Sequence, residues 1–318
     1  MRSAGRAAAS RISDSDSRLG IRDSGLGIRD SGFRIKDSGS AIRDERSDRS
    51  DGKLGERMLN DTLYRVRRID GLQNLQKRGE GGARELTSSR LRLAAGATHK
   101  YQIAAEETVL VLQEGKGTFT TAEGSWTLSR SNVFDERASA VYLPPATQLT
   151  IAAETPLEAI LVSTPAPAGG HAFATGPDGV EVNARGKGSY SREVHNIFVT
   201  DSHARRIMVG ETINQPGNWS SYPPHKHDGK DGEPVLEEVY YYRISPPQGF
   251  GQQLLYTSDG ECTTHTVRDG DAVLLPYGYH PVAAPPGYKV YYLWAMAGAE
   301  RKLALHEDPA HKWIHELQ

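Results

Sequence analysis

From residue 58 onward, apolar residues come in short runs rich in β-branched and aromatic types, interrupted by Gly, Pro, Asn or Asp. The pattern predicts strands near 89–95, 107–113, 116–121, 124–129, 140–143, 148–153 and 157–163 in a first half. In a second half it predicts strands near 204–213, 235–244, 251–258, 262–267, 271–276 and 288–296. Many short strands separated by turns point to sandwiches or barrels. No strand–helix alternation appears, which argues against a parallel α/β sheet. The stretch Pro165-Ala166-Pro167-Ala168-Gly169-Gly170 reads as a linker. The expected class is therefore all-β, with two halves, 58–168 and 169–318, each long enough for one small barrel.

Residues 1–57 follow a different rule. Ile21-Arg22-Asp23-Ser24-Gly25 recurs as Ile28-Arg29-Asp30-Ser31-Gly32 and as Ile35-Lys36-Asp37-Ser38-Gly39, a period of seven. A coiled-coil heptad needs two dependable apolar positions, and here Ile stands nearly alone while Ser-Gly in every unit disfavours helix. So little apolar surface cannot offset the entropy of ordering. The segment is expected to be a disordered extension, ahead of globular sequence that begins at Met58, rather than a charged interaction tail.

Composition narrows the partners. The formal net charge of −2 over 318 residues supplies no electrostatic reason to bind nucleic acid or an anionic membrane. No apolar run approaches the roughly 18–20 residues of a membrane-spanning helix. The one cysteine, Cys262, excludes an internal disulfide framework and favours a reducing compartment. The N-terminus has no apolar signal core, and its many Asp residues argue against an organelle transit peptide. The expectation is a cytoplasmic protein acting on a small molecule, with no nucleic acid and no membrane partner; a homo-oligomer is compatible with the sequence.

The candidate chemistry begins at Gly217-Asn218-Trp219-Ser220-Ser221-Tyr222-Pro223-Pro224-His225-Lys226-His227-Asp228. In extended chain His225 and His227 share a face, so both imidazoles can converge on one ion. A Gly-rich acidic loop follows, and then Val235-Leu236-Glu237-Glu238-Val239-Tyr240-Tyr241-Tyr242-Arg243-Ile244. One of the two glutamates must face inward. If it is Glu238, Tyr240 and Tyr242 line the same cavity; if it is Glu237, the inward set is Val239, Tyr241 and Arg243. A third imidazole arrives after the next strand, where Pro276-Tyr277-Gly278-Tyr279-His280 makes a sharp turn. Three imidazoles and one carboxylate suit a divalent first-row metal. The remaining histidines lack partners at ligand spacing, with His195 the open case.

This order of motifs is similar to the two metal-binding motifs of the cupin superfamily, although the gap from His227 to the glutamates is longer than usual and Pro276-x-Gly278-x-His280 is one residue short. Longer stretches resemble the 5-deoxy-glucuronate isomerase family: 216–228, Glu237 to Arg243, Gly278-Tyr279-His280-Pro281-Val282 and Tyr291-Tyr292-Leu293. Asn132-Val133-Phe134-Asp135 and Ala140-Val141-Tyr142-Leu143-Pro144-Pro145 resemble that family's first barrel. The resemblance implies two cupin, jelly-roll-like barrels that interconvert 5-deoxy-D-glucuronate and 2-deoxy-5-keto-D-gluconate in myo-inositol catabolism. It implies a metal on His225, His227, Glu238 and His280, with zinc expected and manganese or iron as alternatives, no organic cofactor, and a first barrel without metal.

For the proton transfers Tyr240 is the candidate, with Lys226 and Glu237 disfavoured by facing away from the ligands. Arg192, more than Arg185, is expected to pair with the substrate carboxylate, and Gln253 and Tyr256 to hold sugar hydroxyls. Two rival readings use the same fold: a metal-dependent dioxygenase and a non-catalytic sugar-binding protein.

Overall fold

The computed structural model describes residues 59–201 and 203–317, so the expectation for 1–57 lies outside the described residues. The described chain is almost entirely β, and every strand pairing in it is antiparallel. Among the described residues no helix is long and apolar enough to cross a membrane.

A seven-stranded sheet carries the chemistry. Its order is Leu63–Tyr64, Ala272–Leu275, Leu236–Ser245, Lys289–Gly298, Ile207–Asn214, Arg192–Phe198 and Glu181–Arg185. A four-stranded sheet accompanies it: Trp219–Ser220, Val282–Ala283, Gly251–Tyr256 and Cys262–Val267. The first half forms a nine-stranded sheet centred on Glu106–Thr121 and Leu157–Pro165, with Thr98–Gln102, Gln148–Ala153 and Gly124–Arg130 branching from its path. The two stretches expected near 107–113 and 116–121 are one strand, bent at Gly115 (φ +102°), where any Cβ would overlap the Pro156 carbonyl.

Pairing crosses the expected linker. Phe173–Thr175, beyond residue 168, returns to pair with Ala140–Leu143. Leu63–Tyr64, from the start of the first half, pairs with Ala272–Leu275 of the second. Several strands that the apolar pattern did not flag are polar or short, among them Thr98–Gln102, Glu181–Arg185 and Arg192–Phe198.

Parity along the central strands sorts the core. In the second half Met208, Tyr240, Tyr242, Tyr292, Trp294 and Met296 cluster together, joined by Leu59 from the start of the first half. The alternate residues Val209, Val239, Tyr241, Tyr291, Leu293 and Ala295 join Val109, Val111, Ile160 and Val162 in a cluster shared by both halves. On the opposite face of the first half Leu110, Leu112 and Leu128 pack with Leu91, Phe119, Leu149, Ile151 and Leu161. Strands buried on both faces read as continuous apolar runs, because each parity has its own core to fill. Full burial of each such Leu or Phe stabilises by about 1.5–3 kcal/mol.

Charged groups lock the halves at that shared layer. The Glu107 carboxylate accepts from the backbone N–H groups of Arg205, Arg206 and Ile207 at 2.7–2.8 Å, and from the Tyr142 hydroxyl at 2.9 Å. Glu237 does the reciprocal: it accepts from the N–H groups of Arg84, Glu85 and Leu86 at 2.6, 3.1 and 2.9 Å. The Arg206 guanidinium donates to Glu85 at 2.7 Å and joins the two anchors. Elsewhere in the layer Arg130 and Glu211, both fully buried, form a bidentate pair at 2.7 and 2.9 Å.

Candidate metal centre

The same parity decides between the two glutamates. Glu237 follows Val239 and Tyr241 into the layer between halves, whereas Glu238 follows Tyr240 and Tyr242 into the interior of the second half. Glu238 sits opposite Leu275 and Met296 in the sheet and is buried.

His280 reaches Glu238 from the turn after Ala272–Leu275. Gly278 makes this turn at φ +83°, and its N–H donates to the Asp228 carboxylate at 3.2 Å. A Cβ there would stand 2.6 Å from the Tyr256 carbonyl oxygen, so the close approach needs glycine. His227 comes from the short strand His225–Lys226 and the loop behind it. The ligand atoms of His227, Glu238 and His280 all lie within 4.8 Å of one another, and all three residues are buried. His225 stands edge-on to His280, with ring centroids 5.0 Å apart, at the less buried side of the trio.

Hydrogen bonds fix the tautomers. The Nδ1 of His227 is 2.7 Å from the Leu236 carbonyl, and the Nδ1 of His280 is 2.9 Å from the Gly278 carbonyl. A carbonyl only accepts, so each Nδ1 carries the proton and each Nε2 presents its lone pair inward. The His227 Nε2 lies 3.0 Å from Glu238 Oε2, with the His280 Nε2 3.5 Å from the same oxygen. The His280 Nε2 is buried without a hydrogen-bond partner.

Electrostatics points the same way. Burial, with His225 and His227 nearby, pushes His280 well below the usual imidazole range. Burial also lowers His225, to about 3, with His227 and Arg192 adding to the effect. Burial raises Glu238 despite its bond to His227. Burial opposes charge on His227, yet the Glu238 carboxylate more than offsets it and raises that imidazole. An orphaned imidazole lone pair, two fixed tautomers and one buried carboxylate make a donor set that fits such a cation.

The acidic loop after His227 turns out to be built around Lys226. This buried ammonium lies on the opposite face from the imidazoles, 2.6 Å from Asp228, 2.9 Å from Asp231 and 2.6 Å from Glu233. The loop therefore closes on its own cation, and Asp228 in turn holds the Gly278 turn. The strand His225–Lys226 is flanked by His306–Glu307, with His225 opposite Glu307.

Other expected site residues fall in different places. Tyr240 is in the interior: its ring stacks on Tyr292 at 4.3 Å and stands 6.1 Å from His280, and its hydroxyl is 3.1 Å from Ser221 Oγ. Burial and the Glu238 carboxylate hold its phenol well above the ordinary range, hence protonated. Arg192 donates to the carbonyls of Tyr190 and Tyr222 at 3.1 and 2.9 Å. Burial lowers its guanidinium, and its field reaches His225 and Tyr292. Gln253, expected on substrate hydroxyls, is buried and occupied by the protein: it accepts from the Tyr242 hydroxyl and donates to the His280 carbonyl at 2.8 Å. Its observed work is to steady the turn bearing His280. Tyr256, expected in the same role, donates to Asp308 at 2.7 Å and stacks on Tyr279. His195 is buried beside Glu211, at 3.8 Å, in the layer between halves rather than at the trio.

Motif reasoning passed over a hydroxyl-rich wall. Ser220 Oγ accepts from Tyr292 Oη and from Asn214 Nδ2, each at 2.8 Å, and Ser221 adjoins Tyr240. The only advance signal was the pair Ser220-Ser221 inside the histidine motif.

Fold and site together define a cupin-type all-β protein with a candidate metal centre inside one curled sheet. The family model described as the KduI/IolB family matches residues 70–314. A 5-deoxy-glucuronate isomerase of Geobacillus kaustophilus (strain HTA426) is 40% identical over 230 residues, covering 70% of this chain and 83% of that one. The 5-deoxy-glucuronate isomerase of Bacillus subtilis (strain 168) is 37% identical over 233 residues, covering 71% and 86%. An IolB-like protein from Salmonella typhimurium LT2 superposes with a TM-score of 0.76 at 34% identity, over 80% of this chain and 99% of that one. The oxalate decarboxylase of Lactobacillus farciminis, in a formate complex, gives 0.59 at 14% identity over 84% and 92%, a likeness of fold alone. The chain belongs to the KduI/IolB family.

Proposed function

We propose that this protein is a 5-deoxy-glucuronate isomerase of the cytoplasm, converting 5-deoxy-D-glucuronate to 2-deoxy-5-keto-D-gluconate in inositol catabolism. The chain is read as two jelly-roll barrels, divided near residue 168 with strands exchanged across the boundary. The second holds one divalent metal, zinc foremost, on His225, His227, Glu238 and His280. The observation that carries this reading is the meeting of His227, Glu238 and His280 within 4.8 Å, with the His280 Nε2 otherwise unpartnered.

A bound divalent cation would supply Lewis acidity for two adjacent substrate oxygens. The remaining work falls to the chain. Arg192, fixed by two backbone carbonyls, pairs with the substrate carboxylate and sets which end of the sugar faces the imidazoles. Tyr240 Oη, a protonated phenol beside Glu238, hands a proton to the carbonyl oxygen as negative charge develops there. Tyr242 and Tyr292 close the interior and keep water from the reacting carbons. The chemistry is redox-neutral within the substrate, so no organic cofactor is required.

Proton NMR of the two sugars with purified protein tests this. Anaerobic interconversion that is lost with chelator and restored by zinc, manganese or iron supports the isomerase. Turnover only in the presence of oxygen would replace it with a dioxygenase, and unchanged sugars with a binding protein.

A further inference from the structure

Ser221 occupies a backbone conformation that serine avoids. Its φ is +49°, in the left-handed region, and among the described residues only one other non-glycine, Ala146, has a positive φ. Holding an ordinary L-residue there costs roughly 1–2 kcal/mol, which glycine would not incur. The residue is buried, so its hydroxyl is not there to meet solvent. Its Oγ lies 3.1 Å from Tyr240 Oη.

The Tyr240 ring is already fixed on several sides. It stacks on Tyr292 at 4.3 Å and meets Tyr242 and His280 edge-on, each at 6.1 Å. Packing therefore sets the ring, and the hydroxyl lies between Glu238 and Ser221, whose Oγ is the neutral partner. The segment that carries Ser221 also bears Ser220, which holds Tyr292 at 2.8 Å; the Tyr222 carbonyl, which holds Arg192 at 2.9 Å; and His225. A strained residue between the arginine's anchor and the imidazole strand has a reason to be serine only if its hydroxyl is used.

We propose that Ser221 is a positioning residue for the isomerisation, serving as the hydrogen-bond partner that lets Tyr240 Oη give up a proton and take one back. The inference rests on the isomerase reading above. As the C–H bond beside the carbonyl breaks, its electron pair becomes a carbon–carbon double bond and the C=O π pair moves to oxygen. That oxygen receives the Tyr240 proton. Ser221 Oγ–H then donates to the phenol oxygen until the neighbouring substrate hydroxyl returns a proton to it. The proton leaving that carbon passes to one general base, which returns it to the adjacent carbon, so atoms and electrons balance and no oxidant or reductant enters.

Glycine gives the test, because Ser221→Gly keeps the backbone conformation and removes the hydroxyl. Ser221→Gly and Ser221→Ala should lower kcat by about 10–100-fold, the lower part of what a positioned proton donor contributes. KM should stay within roughly threefold, with metal content and circular dichroism unchanged. Adding Ser221→Gly to Tyr240→Phe should cost nothing further, since the serine acts through the phenol. Wild-type kcat in Ser221→Gly, or losses that multiply with Tyr240→Phe, would overturn the role of Ser221 alone. A wild-type protein inert toward both sugars would overturn the isomerase reading and this inference with it.

Discussion

The neighbours Glu237 and Glu238 should fail in opposite ways when changed. Glu237 accepts from three backbone N–H groups, at 2.6, 3.1 and 2.9 Å, and it is buried. Glu237→Ala leaves those donors unpaired at about 1–3 kcal/mol each, less whatever water the shortened side chain admits. The expected cost is about 3–6 kcal/mol, a Tm drop of roughly 6–20 °C for a chain of this size. Glu237→Gln keeps one acceptor oxygen and should lose about half as much. Neither should change the metal-to-protein ratio of the molecules that remain folded.

Glu238→Gln should do the reverse. It keeps the shape, removes a carboxylate raised by burial, and should leave the metal-free Tm within a few degrees. Metal affinity should fall by more than the roughly 10–100-fold that an outer partner of a ligand commands. Elemental analysis after dialysis against buffered zinc, beside calorimetry of the same samples, reads both effects. If Glu237→Ala emptied the site while Glu238→Gln stayed loaded, the strand's facing would be the opposite of that described, and the proposed centre would fail.

Three further outcomes are expected. Gly278→Ala places a Cβ 2.6 Å from the Tyr256 carbonyl at φ +83°, so it should cost about 2–3 kcal/mol and weaken zinc binding, as measured by calorimetry and competition with a chelating dye. Lys226→Met removes the cation from between Asp228, Asp231 and Glu233; stability should fall by about 2–3 kcal/mol, discounted because Asp231 is half exposed, and proteases should cut within 228–234. Glu211 is held at about 2 in the folded protein, chiefly by Arg130 against the cost of burial. A depressed carboxylate stabilises fully above the unfolded range, near 4.3, and progressively less as pH falls toward 2. About 3 kcal/mol should vanish across that window, and calorimetry of Glu211→Gln should show a flatter acid limb.

Much of the architecture was legible because buried strands announce themselves. Val239 to Tyr242 and Val290 to Met296 are apolar on both parities, which marks strands enclosed on both faces. The same property hid the orientation. With Tyr240 and Tyr242 on one parity and Val239 and Tyr241 on the other, nothing local distinguishes the two glutamates. The deciding groups are the backbone N–H donors of 84–86, some 150 residues away in sequence. The meeting of His227 with His280 could be read from the Pro-x-Gly turn, whereas His225, at period-two spacing from His227, stands edge-on to His280 outside the trio. The occupations of Gln253 and Tyr256 could not be read, since their partners His280 and Asp308 come later and through backbone or tail contacts. Polar strands such as Thr98–Gln102 and Arg192–Phe198 lack an apolar run, and their positions follow from the neighbours they pair with.

The crossed anchors at Glu107 and Glu237 bear on how such a chain can be taken apart. Each carboxylate terminates donors that belong to the other half, and Arg206 with Glu85 ties the two together. A fragment expressed alone would expose one buried acid and three unanswered amides on the same face, an invitation to aggregate. Shuffling halves between relatives would succeed only where both parents place a glutamate at each of the two positions.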